Sequence, residues 1–459
     1  MVLIEKEGIP AVCIVGSLLQ RVAANVYRGA KFADLPLAVV PQDALTRAIA
    51  DYRPVFEQSL DSIVFGLTAW RPQSQATGIS PATPATFVYQ GQDYADAMQQ
   101  MNEAFLTNRW GDGLPLLPAT KERVRWLLTG TDRAPDEMVA KVPPRGGIAT
   151  PAAIAIVAAM AGCRPEYMPV LIAIVEAMAD PRFQLAESSG TTHASTPTVV
   201  INGPIAKQIG INSSYGMLGP SAEYPAGASI GRAIRLLLTT LGGVIPGVTS
   251  VSVMAQPGRY TGLVFAEAED LMPATWEPLS VERGFARGAN TVSVFTVGGS
   301  INIVGHPDDH VAGTILSLSK VMGMPYENYW NAADEVGWLI VSPWAARTFA
   351  EAGWTKERLR RFFFEHATAQ YTKSGFLEAG HRYRGEWAAW FEAAAAEAAL
   401  PIALDPDKFT IVVAGGDHPR HSAWLPVGVG GQGKVTREIR LPANWDEVLR
   451  AAPKFWSER

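Results

Sequence analysis

Cysteine is nearly absent from this chain of 459 residues: Cys13 and Cys163 are its two thiols. Two thiols cannot build a disulfide framework and exclude a four-thiolate zinc site, and such usage fits a reducing compartment. Clustered positive charge is also missing. The net charge is −5, no basic tail or Lys/Arg run is present, and aromatic and basic residues do not interleave. Nucleic acid is therefore not expected as a partner. The longest apolar stretch, Ile148 to Gly162, is too short and too alanine-rich to span a bilayer, so no membrane association is expected. The first ten residues carry Glu5, Lys6 and Glu7 and lack a basic segment leading into an apolar one. No signal peptide is expected, and the cytoplasm is the expected location. The sequence also lacks a G-x-S-x-G elbow, H-E-x-x-H, C-x-x-C, and a G-x-G-x-x-G after the first strand-like run. No cofactor and no metal site are assigned.

What is present is globular composition, with 48% hydrophobic and 18% charged residues. The length favours two or three domains. Ala11 to Val15 and Leu35 to Val40 are short apolar runs, each followed by a helical pattern, the first from Leu18 to Val26 and the second from Asp43 to Leu67. Strand, helix, strand, helix reads as one parallel βαβ unit with little core of its own, leaning on another domain or subunit. Residues 71–97 form a linker or ordered loop, beginning in a Pro/Ser/Thr/Gly-rich stretch. The expected organisation is a small unit over 1–70, that linker, and a large domain over 98–459. The expected class is α/β with α+β elements: the small βαβ unit plus a large mixed domain with buried helices.

Within the large domain, Thr120 caps a helix through Leu128, and Thr150-Pro151 opens one that is apolar all round and ends at Gly162. A second apolar helix runs from about Pro165 to Met178. From Glu187 to Ser229 the chain is dense in small and polar residues around one strand-like run, Thr198 to Asn202, as functional loops often are. Ile230 to Leu241 is a helix with Arg232, Arg235 and Thr239 on a polar stripe. Val292 to Val297 and Ile301 to Val304 read as strands, and Trp338 to Val341, a helix, and Phe409 to Ala414 read as a second βαβ-like unit. No repeat of fixed period is visible.

Several residues could carry chemistry. Cys163, beside Arg164 and ahead of Pro165, would be a low-pKa thiolate if it sat at a helix N-terminus; otherwise it is a buried small hydrophobe, the commoner fate of a lone cysteine. His193 among small polar residues is either a general base or a structural histidine. Gly227 to Ser229 at a helix start, with Arg232 and Arg235, suits a carboxylate, sulfonate or phosphate. Asn202 and Asn212 are further candidate substrate contacts. Glu267 and Glu269 would share a face if their strand continued, and could hold a cation or a proton; beside one cation they form an ion pair, the preferred reading. His306/His310 and His418/His421 are metal pairs only if a third ligand joins them.

Glu7-Gly8-Ile9-Pro10-Ala11-Val12 and the following strand and helix resemble proteins named for a Sec/Cys-Gly-Ser-Cys (UGSC) motif. Asp112 to Pro115, Met160 to Tyr167, Asn202 to Ala206, Ile230 to Leu236 and Glu267 to Glu269 resemble a companion module of bacterial proteins. Together these cover roughly residues 7–70 and 98–290. The resemblance implies thiol or selenol redox chemistry, with the defining motif expected upstream of Glu7 and not present in this sequence.

The sequence thus leads to an enzyme acting on a small anionic metabolite in the large domain, by thiol-dependent redox or transfer chemistry or by lyase chemistry. Cys163, His193, Glu267 and Glu269 would be its reacting groups, and Asn202, Asn212, Ser229, Arg232 and Arg235 would hold the substrate. The alternative is an accessory subunit without its own catalysis. Either way, a homo-oligomer or a partner subunit engaged through the N-terminal unit is expected.

Overall fold

The computed structural model describes residues 9–29, 35–41, 51–71, 86–261, 263–305, 310–324, 329, 335–372, 389, 393–394, 397–429 and 434–453. It is an α/β protein with helices on mixed sheets. The N-terminal unit follows the expected pattern. Strand β1 (Cys13–Gly16) leads into helix α1 (Gln20–Gly29), and strand β2 (Leu37–Val40) returns parallel to β1, with Cys13 opposite Leu37 and Gly16 opposite Val40. Helix α2 (Leu60–Thr68) covers the pair. Gly66 is a glycine for a packing reason, since a Cβ there would lie 2.1 Å from the Val12 side chain. The helix expected from Asp43 is Arg53–Glu57 followed by α2; residues 42–50 lie outside the described part. The core of this unit is small, built on Tyr27, Leu35 and Trp70.

The large domain opens with helices α3 (Tyr94–Asn108) and α4 (Lys121–Leu128), then strands β3 (Ala140–Val142) and β4 (Gly147–Ala149). Helices α5 (Pro151–Met160) and α6 (Met168–Ala179) are nearly all buried. The Thr150 hydroxyl accepts from Ala153 N–H at 3.1 Å and caps α5, and Gly162, at φ +80°, turns the chain after it. Helix α7 (Leu185–Gly190) precedes the first long strand.

Two four-stranded sheets follow. The first joins β5 (Thr196–Asn202), β6 (Leu263–Ala266), β7 (Thr291–Val297) and β14 (Val435–Glu438) in the order β14-β7-β5-β6. The second joins β8 (Ile301–Val304), β9 (Gly337–Val341), β12 (Phe409–Val413) and β13 (His421–Pro426) in the order β12-β9-β13-β8. Helix α8 (Pro225–Thr240) lies between β5 and β6 in sequence; α9 (Val311–Met322) precedes β9; α10 (Pro343–Glu351), α11 (Lys356–His366) and the hairpin β10 (Thr368–Thr372) and β11 (Glu397–Pro401) lie between β9 and β12.

The two sheets have one plan. In the first, β5 pairs parallel with β6 and antiparallel with β7; in the second, β9 pairs parallel with β12 and antiparallel with β13. The fourth strands are exchanged, so that β8, which follows β7, pairs with β13, and β14, which follows β13, pairs with β7. Val297 and Val427 form a bridge where the chains cross, and matching bonds flank it: Gly298 N–H to Pro426 O at 2.9 Å and Gly428 N–H to Thr296 O at 2.8 Å. Elsewhere Glu267 N–H to Ile201 O at 3.1 Å matches Ala414 N–H to Val341 O at 3.0 Å. The domain is thus an internal structural duplication. No sequence period reveals it, because the equivalent residues differ in kind (Glu267 against Ala414, Asn202 against Ser342) and the connections are unequal in length.

The exchange presses the sheets together. Val200, Phe265 and Phe295 of the first sheet join Trp338, Ile340 and Val412 of the second in one core, with Phe295 and Trp338 stacked at 5.0 Å. Helices α5, α6 and α8 build a second core against the other face of the first sheet. No helix among the described residues is long and apolar enough to cross a membrane. Phe295 is fully buried between the sheets, so Phe295→Ala should cost about 3–5 kcal/mol in denaturant unfolding. A loss under 1 kcal/mol would mean that the sheets do not depend on this contact.

Candidate functional site

Helix α8 presents Gly231, Ile234, Arg235 and Leu238 along one stripe, at the i, i+3, i+4, i+7 spacing of a helix face. That stripe faces Ser188 and Ser189 at the end of α7, Ser195 to Pro197 at the start of β5, Val244, and Gly258 and Arg259 ahead of β6. Between them is a cleft open to solvent, with a cavity volume of about 40 Å³. It lies at the amino ends of the parallel strands. Sites in open α/β sheets usually lie at the carboxyl ends.

Its electrostatics are one-sided. The Arg235 side chain is partly buried and makes no hydrogen bond or ion pair among the described residues. Burial lowers its pKa, and Asp112 only partly offsets that. Arg259 donates from Nε to Ser195 O and from Nη1 to Ser250 Oγ, both at 3.0 Å, which leaves Nη2 unengaged. Burial and then the nearby Arg235 bring its pKa down to about 10. No carboxylate lines the cavity. His193 is half-buried beside it, with Nδ1 3.2 Å from Ser195 Oγ, and burial followed by the Arg259 charge lowers its pKa. Ser195 Oγ also accepts from Val429 N–H at 2.7 Å. With that bond made, the hydroxyl is free to donate to a neutral imidazole. Gln256 holds the loop by donating to Ala194 O and Val297 O, at 2.5 and 2.9 Å.

Of the residues expected to share a site, Arg235 borders the cavity and His193 stands beside it. Arg232 does not join them. Its fork grips Asp112, Nε to Oδ2 at 2.8 Å and Nη2 to Oδ1 at 3.1 Å, and Nη2 also reaches Leu114 O and Pro115 O. That is a buried structural clamp, so the expectation of two arginines on one anion fails for this pair; Arg259 takes the second place. The helix-start cradle is corrected too. Helix α8 begins at Pro225, which puts Ser229 in its second turn, and a Cβ on Gly227 would stand 2.6 Å from Val264 O, so this glycine serves helix–strand packing.

Cys163 is fully buried in the helical core and donates its thiol to Ser229 O at 3.2 Å. Burial pushes its pKa up, against the pull of Arg123, which fits the buried small hydrophobe, the preferred of its two readings, and not the thiolate. Asn202, Glu267 and Glu269 form a separate cluster at the carboxyl end of β5. Asn202 Nδ2 donates to Glu267 Oε2 at 2.7 Å and to Glu269 Oε1 at 2.9 Å, and Leu279 N–H donates to Glu267 Oε2 at 2.7 Å. Lys356 Nζ lies 3.6 Å from Glu267 Oε1, the ion pair that the sequence reading preferred. Strand β6 ends at Ala266, so the carboxylates meet through the Asn202 amide rather than along one strand face. Asn212 closes a turn, with Nδ2 on Tyr215 O and Oδ1 on Ser214 N–H.

Among the described residues no group of three or more His, Cys, Asp or Glu could hold a metal, and the His306/His310 pair falls partly outside them. His310 caps α9, accepting from Gly313 N–H at 2.9 Å, and His306 lies outside the described residues. Arg259 and Ser195 were not legible as site residues, since they sit in irregular segments whose partners are distant in sequence. The fold and cavity define an α/β protein with an unneutralised cationic pocket. The chain matches no family model, no curated protein and no solved structure.

Arg232→Ala strands the Asp112 carboxylate, which is 3% exposed, and should cost about 3 kcal/mol of stability in chemical denaturation. A neutral result would overturn the clamp. In a Cys13→Ser background, Cys163 should resist alkylation in native protein up to mildly alkaline pH and label only on unfolding. Rapid native labelling would return the thiol to the candidate site.

Proposed function

We propose that the protein is an enzyme that takes a small anionic molecule into the cavity between α8 and the start of β5, with Arg235 and Arg259 on the anion and His193 as the proton-transfer group. The observation that carries this reading is Arg235: a partly buried guanidinium on the cavity wall that lacks a hydrogen-bond or ion-pair partner among the described residues and has a second guanidinium, Arg259, beside it. A bound anion supplies one. His193, held neutral at neutral pH by burial and Arg259, is suited to take a proton at Nδ1 by way of Ser195 Oγ, which lines the cavity. This arrangement favours the acid–base, lyase-type branch over thiol chemistry, because Cys163 is sealed in the core.

Kinship with the UGSC-motif family is part of the proposal. The stretches that carry the resemblance interlock: Arg232 of Ile230–Leu236 grips Asp112 of the Asp112–Pro115 turn, and Asn202 meets Glu267 and Glu269. One observation favours the accessory-subunit reading as a second role. On the N-terminal unit, Ile14, Leu18, Val64, Phe65 and Leu67 are exposed, and among the described residues β1 and β2 pair only with each other.

Sulfate at ionic strength matched with chloride should raise the melting temperature of the wild-type protein and leave Arg235→Gln unmoved, because a ligand that binds only the native state stabilises it by mass action. Equal stabilisation of both proteins would place anion binding elsewhere.

A further inference from the structure

The cavity also constrains what its anion looks like. The charge is the first constraint. Arg235 and Arg259 together bring two positive charges, Asp112 is already neutralised by Arg232, and the lining holds no acid. A monoanion matches one of these two partly buried charges, whereas a dianion matches both. The donors are the second constraint. The Arg235 fork is unengaged, Arg259 keeps Nη2, and the Ser189 hydroxyl makes no hydrogen bond among the described residues although Ser189 is 5% exposed. These donors come from three elements, α8, the segment before β6 and the end of α7. Donors converging from several directions suit three oxygens of a tetrahedral head better than two oxygens of a flat carboxylate. The third constraint is the rest of the wall, where Pro197, Ile234, Leu238 and Val244 offer no hydrogen-bonding side chain.

We infer that the ligand is a phosphate monoester of short aliphatic chain, its dianionic phosphoryl head on Arg235, Arg259 and Ser189 and its alkyl arm against Pro197, Ile234, Leu238 and Val244. This rests on the anion-site reading of the cavity. It adds a charge, a head shape and an arm that the reading alone does not require.

Calorimetric titration at pH 8 separates the two. The probes are n-propyl phosphate, inorganic phosphate and butyrate, and at that pH both phosphates are largely dianions. Propyl phosphate should bind at least about tenfold tighter than butyrate, because it brings the second charge, and at least about tenfold tighter than inorganic phosphate, because each buried methylene adds roughly fourfold. Arg235→Gln should weaken it at least tenfold, and Arg259→Lys, which keeps the charge and loses the fork, should weaken it less. Both variants are checked for a wild-type melting transition. Butyrate binding as tightly as propyl phosphate, and lost in Arg235→Gln, would overturn the dianion while leaving the anion site intact. Inorganic phosphate binding as tightly as propyl phosphate would overturn the arm. Binding of none of the three, or binding indifferent to both substitutions, would overturn the ligand class and the anion site together.

Discussion

The carboxylate of Glu267 is the point on which the two halves of the large domain depend. It sits just past the end of β6, fully buried, and it is held from both repeats. Asn202 and Leu279 N–H bind it from the first half, and Val413 N–H, at 3.4 Å, and the Lys356 ammonium reach it from the second. Lys356 is itself buried, and donates to Glu277 O at 2.6 Å. Isolated, either charge would cost several kcal/mol to bury; paired and hydrogen-bonded, they are tolerated, and each fixes the other's surroundings. Burial still raises the Glu267 pKa, with Lys356 as the main opposing influence. The backbone continues the tie next door, where Ala268 N–H bonds to Val413 O at 2.8 Å.

From that joint the remaining architecture follows. Exchanged edge strands mean that neither sheet is complete without a segment from the other half. The core between the sheets, with Phe295 against Trp338, therefore forms only when both halves are in place. A duplication built this way is cooperative by construction. It also frees the outer face of the first sheet, where α8 leans on β6 closely enough to need glycine at position 227. The cavity lies along that same helix, nearer its carboxyl end.

The cavity and the Glu267 joint handle buried charge in opposite ways. At the joint, opposite charges and amide donors meet, and a structural role is satisfied. In the cavity, two guanidinium groups face one space with no acid in its lining, and burial, with Arg235 adding to it, lowers Arg259 to about 10. Packing alone does not explain that arrangement, since uncharged side chains would fill the space at less cost. This contrast separates the proposed anion site from a structural cluster in a molecule where both contain residues that look reactive in the sequence.

Local patterns in the sequence were enough for the local structure. The parallel β1–β2 pair, the Thr150-Pro151 start of α5, the buried α6, and the parallel relation of Trp338–Val341 to Phe409–Ala414 follow from periodicity, capping chemistry and turn residues, each of which acts over a few positions. Arg235 was legible for the same reason, as part of the polar stripe Arg232, Arg235 and Thr239 at helical spacing. His193 was legible as a lone imidazole among small residues. What Arg232, Cys163 and Gly227 do was not, because each is decided by a neighbour far along the chain: Asp112, the α5–α8 packing around Ser229 O, and Val264. Whether a thiol is a nucleophile or a piece of core depends on its desolvation, and desolvation is a property of the packed interior. The duplication, the exchanged strands and the meeting of Arg235 with Arg259 belong to tertiary structure alone, because hydrogen-bond pairing and charge proximity between distant segments leave no period in the sequence.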